Sequence, residues 1–183
     1  MLNDPRPAMA RRVALAALSC AIATTGVAAQ AATAAPSVRG SSLMAKTGAG
    51  PDGIAVDAMG NVYTANSRAN TVTKVTPLGK ATTLGTTGQT PRGIALDAAG
   101  NVYTTNLGAN TVTRITPDGT SSTFGTTGRQ PIDVAVDSAG TVYTTNYLDS
   151  TVTRITSAGV SSTLGSTGSR PLGIVLDAAG NVY

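Results

Sequence analysis

Histidine and tryptophan are absent from this 183-residue chain, and its nine acidic residues are all aspartate, so glutamate is missing too. Cysteine occurs once, at Cys20. Each absence removes a chemistry. Without histidine there is no Ser–His–Asp or Cys–His relay to activate a nucleophile. A zinc site drawn from His, Cys and Glu is equally out of reach. A lone cysteine closes no disulfide within the chain. Charged residues make up only 12% and aromatic residues 3%, which suits long amphipathic helices poorly. Gly, Thr, Ala and Val dominate instead, a mixture that favours short strands and tight turns. The formal charge of +4 falls to +2 from Pro36 onward, where ten Lys/Arg face eight Asp. So small a surplus predicts no nucleic-acid-binding surface.

Residues 1–35 read as a secretory signal peptide. Arg11 and Arg12 give the charged start, and Val13 to Ala29 is an Ala-rich apolar run. Small-residue cleavage patterns follow at Ala29, Ala31 and Ala34. The run is shorter than the roughly 20 apolar residues that span a bilayer, so no stable membrane insertion is expected after cleavage. The expected destination is secreted or periplasmic. A lipid anchor at Cys20 is the disfavoured alternative, because Ala17 stands where leucine would be typical and the apolar run continues past the cysteine. Arg11-Arg12 matches a twin-arginine signal only weakly.

The rest of the chain repeats. Pro51, Pro91, Pro131 and Pro171 recur every 40 residues with their surroundings: GIAVDAMGNVYTAN returns as GIALDAAGNVYTTN, then DVAVDSAGTVYTTN, then GIVLDAAGNVY. TVTKVTPLG returns as TVTRITPDG and TVTRITSAG. The first unit parses into four strands: a over Gly53–Val56, b over Val62–Ala65, c over Thr71–Thr76 and d over Lys80–Leu84. Short connections imply an antiparallel meander. A four-stranded sheet of 40 residues cannot cover both its faces alone. Blades set around an axis solve this, each covering its neighbour. The sequence therefore predicts an all-β fold, a partial β-propeller of four-stranded antiparallel blades. A leading strand over 36–46 would close the ring, with units over 47–86, 87–126, 127–166 and a truncated 167–183. Ile54, Val56, Val62, Tyr63, Val72 and Val75 with their equivalents form the expected core. Tyr63, Tyr103, Tyr143 and Tyr183 are packing residues in this reading. Asp57, Asp97, Asp137 and Asp177 each precede a glycine by three positions, as a type I turn requires. Turn chemistry accounts for them without a calcium ring.

The unit PxGIAVDaaGNVYtxN…NTVTrITpdG resembles the NHL repeat and is similar to repeats of streptogramin (virginiamycin B) lyases and of sensor domains on bacterial serine/threonine kinases. The resemblance covers Thr47 to Tyr183. It implies a propeller, usually of six blades in NHL proteins, so three units and part of a fourth look like a partial or truncated sequence. An association of open arcs and an irregular four-bladed ring are the alternatives. NHL units commonly carry Asp after strand b; here Asn66, Asn106 and Asn146 stand there, with local backbone as the expected partner. Similarity to the lyases implies elimination from a cyclic depsipeptide by His and Glu with a divalent metal. Neither residue type is present, so no catalytic or metal position transfers and no cofactor is implied.

What remains is a loop-borne surface, because the d–a and b–c loops of a propeller share one face. Asp52, Arg92, Arg129 and Arg170 are expected in the d–a loops, and Arg68, Tyr147 and Asp149 in the b–c loops. An anionic small molecule, a peptide or a protein could seat against these arginines with Tyr147 as anchor. Solvated loop charge is the plainer reading. Lys74, Arg114 and Arg154 repeat in register and are expected to pack along the blades. The resulting expectation is an exported, noncatalytic binding or sensing scaffold. The alternatives are a piece of a streptogramin-lyase-like enzyme and a nonfunctional truncated product. Open blade edges invite self-association.

Overall fold

The computed structural model describes residues 45–183. The signal-peptide reading, Cys20 and most of the expected leading strand lie outside these residues, and Ala45 to Thr47 form no strand. Twelve strands make three sheets of four. Blade 1 comprises β1 (Pro51–Val56), β2 (Val62–Asn66), β3 (Thr71–Val75) and β4 (Ala81–Thr86). Blade 2 comprises β5 (Pro91–Leu96), β6 (Val102–Asn106), β7 (Thr111–Ile115) and β8 (Ser121–Thr126). Blade 3 comprises β9 (Pro131–Val136), β10 (Val142–Asn146), β11 (Thr151–Ile155) and β12 (Ser161–Ser166). Each sheet is an antiparallel meander in chain order. The expected partial propeller is therefore present.

Strand a begins earlier than the apolar pattern suggested. The prolines open β1, β5 and β9, and Pro51 pairs with Asn66. Between Pro51 and Ile54 the register slips by a bulge, which lets a residue without an N–H start the strand. Strand d runs on to Thr86, again across a bulge, with Leu84 of β4 the extra residue opposite Val72 and Thr73 of β3.

The period-two alternation gives every blade two faces. Tyr63, Ala65 and Val72 of blade 1 meet Ile94, Val102 and Ile115 of blade 2 in one apolar cluster. Tyr103, Val112 and Phe124 of blade 2 meet Val134, Val142 and Ile155 of blade 3 in the next. Strands a form the inner edge, β1 against β5 and β5 against β9. Their approach is close: a Cβ on Gly93 would stand 2.8 Å from the Asp133 Cα and from the Ile132 carbonyl oxygen. At the same position blade 3 carries Asp133, whose Oδ2 accepts the Ile174 N–H at 3.1 Å and ties the fourth unit on.

Two expectations about the core need correcting. Ile54 and Val56 are 68% and 60% exposed, because among the described residues no sheet covers that face of blade 1. Tyr183 is likewise exposed, since the fourth unit is only a hairpin held by a Leu176–Val182 bridge. Tyr63, Tyr103 and Tyr143 are buried as expected.

Candidate functional site

The a–b turns are built as the sequence indicated. The Gly60 N–H donates to the Asp57 carbonyl at 3.0 Å, and Gly60 has φ of 79°. Asp57 Oδ1 accepts the Met59 and Asn61 N–H groups at 2.9 and 2.8 Å. Its Oδ2 accepts Asn61 Nδ2 at 2.7 Å and the Tyr63 hydroxyl at 3.0 Å. Asp97 and Asp177 repeat this full set. Asp137 keeps the two backbone bonds and the Tyr143 hydroxyl. Partial burial pushes Asp57 up, but the bonds from Asn61, Tyr63 and Met59 outweigh it and hold its carboxyl below the ordinary value. Among the described residues, no three His, Cys, Asp or Glu side chains converge as a metal site would need. A cleft of about 470 Å³ opens at this end between blades 1 and 2, beside Met59, Lys74, Asp97 and Pro117. Lys74 Nζ lies over the Tyr63 ring at 5.4 Å, and Arg114 over Phe124 at 5.5 Å. Lys74 and Arg114 thus lie along the blades.

At the opposite end the b–c and d–a loops meet. The Leu107 N–H donates to the Thr90 carbonyl at 3.0 Å, and the Tyr147 N–H to that of Gln130 at 3.0 Å. Asn70 Oδ1 accepts the Thr90 N–H at 2.8 Å, and Asn110 Oδ1 the Gln130 N–H at 2.9 Å. Each d–a loop is therefore bonded to the b–c loops of both blades it joins. Asn70, Thr90, Asn110, Gln130, Ser150 and Arg170 all hold φ between 53° and 56°. That is the left-handed region, which a β-branched residue such as Thr90 adopts only under constraint.

Beneath these loops lies a network that pattern reasoning missed. Asn106 is fully buried. Its Nδ2 donates to Thr111 Oγ1 and Thr113 Oγ1, both at 2.9 Å, and its Oδ1 accepts the Thr104 hydroxyl at 3.3 Å. The partners are threonine side chains rather than the local backbone that the sequence suggested. Asn66 and Asn146 repeat the arrangement. Thr71 and Thr73 alternate along strand c opposite Asn66 and Thr64 of strand b, and that alternation is the sequence signal for the network.

The expected ligand-face residues are placed as follows. Asp52 and Arg92 are not in the d–a loops as expected but in β1 and β5, because strand a already starts at the proline, and they form an ion pair at 3.1 Å across blades 1 and 2. The Arg68 stem lies beside Gly50. Arg129 donates its Nε to Asp149 Oδ1 at 2.6 Å and its backbone N–H to Oδ2 at 2.7 Å. The backbone bond first, then the guanidinium, hold the Asp149 carboxyl below its ordinary value. The Arg170 guanidinium lies 5.6 Å from the centroid of the Tyr147 ring. Arg129, Tyr147, Asp149 and Arg170 thus gather at the loop end of blade 3. Arg92 and Arg68 belong to separate arrangements.

Comparison with known proteins agrees with this architecture. Among solved structures, virginiamycin B lyase from Staphylococcus aureus superposes with a TM-score of 0.61 at 22% identity, covering 73% of this chain and 54% of that one. A catalytically inactive histidine-to-alanine variant of the same lyase, solved with quinupristin, gives 0.62 at 19% identity over 75% and 56%. A nidogen/laminin complex gives 0.62 at 22% identity over 70% and 53%. These likenesses show the fold, and the chain spans about half the length of the structures it matches. No curated protein matches the chain. The model of the virginiamycin B lyase family matches residues 32–183. The chain belongs to the virginiamycin B lyase family.

Proposed function

We propose that this protein is an exported, noncatalytic member of its family that binds a peptide or small anionic ligand on the b–c and d–a loop end of blade 3. The observation that carries this reading is the cluster of Arg129, Asp149, Tyr147 and Arg170 on an otherwise repeated frame. Blades 1 and 2 have Arg68 or Leu107-Gly108 in the corresponding b–c loops. Variation confined to loops on a constant scaffold is how propellers acquire ligands. Tyr147 offers an aromatic face and Arg170 a guanidinium with no acidic partner among the described residues, the side-chain types that dominate recognition hot spots. Export is supported by the charged start, apolar run and small-residue cleavage patterns of residues 1–35.

The noncatalytic part rests on composition. The related lyase becomes inactive when one histidine is replaced, and this chain has none. A second reading, a lyase-like activity supplied by further blades of a longer protein, is favoured by the family itself.

An amide-resolved NMR titration separates the readings. Quinupristin and short acidic peptides are added in parallel, and the quinupristin sample is then chromatographed for ring-opened product. Shifts confined to Gly128–Gln130, Tyr147–Ser150 and Thr167–Arg170, lost in Arg170→Ala and Tyr147→Ala, are expected. Ring opening by this chain, or shifts only at the a–b turn end, would refute the proposal.

A further inference from the structure

The a–b turn end, opposite the loop cluster of blade 3, holds a cavity with a chemistry of its own. Its volume is about 470 Å³, and its two walls belong to the adjoining blades 1 and 2. Met59, Tyr63 and Lys74 line the blade 1 side; Leu96, Ala99 and Pro117 line the blade 2 side. Two of these residues break the repeat. Met59 stands where the other units have Ala99, Ala139 and Ala179, and Lys74 where they have Arg114 and Arg154. Both departures fall on one cavity, and its volume is within the range of small-molecule sites. The exchange of arginine for lysine changes where the charge goes. At the next junction Arg114 lies on the Phe124 ring at 5.5 Å with its Nε buried. Lys74 faces the Tyr63 ring at 5.4 Å and has no carboxylate partner among the described residues. The Tyr63 hydroxyl takes at most one of the three ammonium protons, so donors remain for a ligand.

The acceptors of the cleft are already engaged. Asp57 accepts from the Met59 and Asn61 N–H groups, Asn61 Nδ2 and the Tyr63 hydroxyl, which fills its lone pairs. Asp97 is filled in the same way by Ala99, Asn101 and Tyr103. A ligand ammonium would therefore find no free acceptor on either carboxylate. A ligand carboxylate would meet two negative charges against the single positive charge of Lys74. The group that fits is an uncharged acceptor. We propose that this cleft binds a small uncharged carbonyl compound, its oxygen accepting from Lys74 Nζ and its apolar body lying between Met59 and the Leu96, Ala99 and Pro117 wall. Met59 is exposed at the mouth, where a flexible, polarizable thioether can close over such a body. The site is separate from the blade 3 loop end and does not depend on the reading given for it.

The test is an amide-resolved NMR titration of the purified full chain with three probes of nearly one shape: benzylacetone, hydrocinnamate and phenylpropylammonium. They present a ketone, a carboxylate and an ammonium on the same apolar body. Benzylacetone is expected to shift the amides of residues 57–60 and 97–100 and to bind more tightly than either charged probe. Lys74→Met keeps the length of the side chain and deletes its donors, so it should weaken benzylacetone about fivefold. Lys80→Met removes the same charge from an exposed position outside the cleft and should leave the affinity unchanged. Met59→Ala, which installs the residue of the other units, should weaken binding about threefold. Absence of shifts at the two turns overturns the proposal, as does tighter binding of either charged probe by the unaltered chain. So does an affinity that Lys74→Met leaves unchanged or that Lys80→Met lowers equally.

Discussion

Replacing Asn106 with alanine tests whether the buried amide holds the blade together or merely fills space. The side chain makes three hydrogen bonds, two donated to Thr111 and Thr113 and one accepted from Thr104. A neutral hydrogen bond contributes about 1 kcal/mol net, and a buried polar group left without its partner costs about 1–3 kcal/mol. Thr113 is not wholly orphaned by the change, because its hydroxyl still accepts the Gly88 N–H at 3.1 Å. Thr104 is fully buried, and its hydroxyl loses Asn106 Oδ1 as acceptor. The site has no slack, since a Cβ on Gly88 would already stand 2.9 Å from Asn106 Cγ, so a small cavity adds to the loss. The expected destabilisation is about 3–4 kcal/mol. Urea unfolding followed by circular dichroism measures it, with the slope of the transition checked for unchanged cooperativity. A double-mutant cycle with Thr113→Val isolates one bond, with an expected coupling of about 1 kcal/mol. A cost for Asn106→Ala below about 1 kcal/mol would mean that water or rearranged threonines replace the amide, and the account of the network would be wrong.

Gly93→Ala should destabilise by about 1–3 kcal/mol in the same assay, because the new methyl meets neighbouring backbone that cannot swing aside. Thr90→Gly should instead stabilise by roughly 0.5–1 kcal/mol, as it relieves a left-handed β-branched residue where the first unit already has Gly50. Burial and then the Asp97 carboxylate push the Tyr103 phenol up to about 12. Its ionised form is disfavoured in the fold, so the stability it confers is complete below the ordinary tyrosine value and fades as pH rises towards 12. Spectrophotometric titration of the phenolate should lose its most alkaline step in Tyr103→Phe. Asp57 has the opposite sign: its lowered carboxyl contributes stability above the ordinary aspartate range, which is lost as pH falls through that depressed value. Asp57→Asn should accordingly flatten the acid limb of the stability curve.

The 40-residue identity, the β-branched alternation and the Asp-to-Gly turn spacing determined the blades, their strand order and the a–b turns before any coordinate was known. These are local consequences: a strand's two faces and a turn's φ values are set by residues within a few positions of each other. The sequence also left no histidine for a nucleophile-activating relay. Relations across blades were legible only after folding. Arg92 and Arg129 read as free loop cations until Asp52 and Asp149 appeared beside them, 40 and 20 residues away. Ile54 and Ile94 occupy the same place in the repeat, yet one is open and the other closed. The reason is that burial belongs to the stack and not to the unit: identical faces differ according to whether a neighbouring blade stands against them.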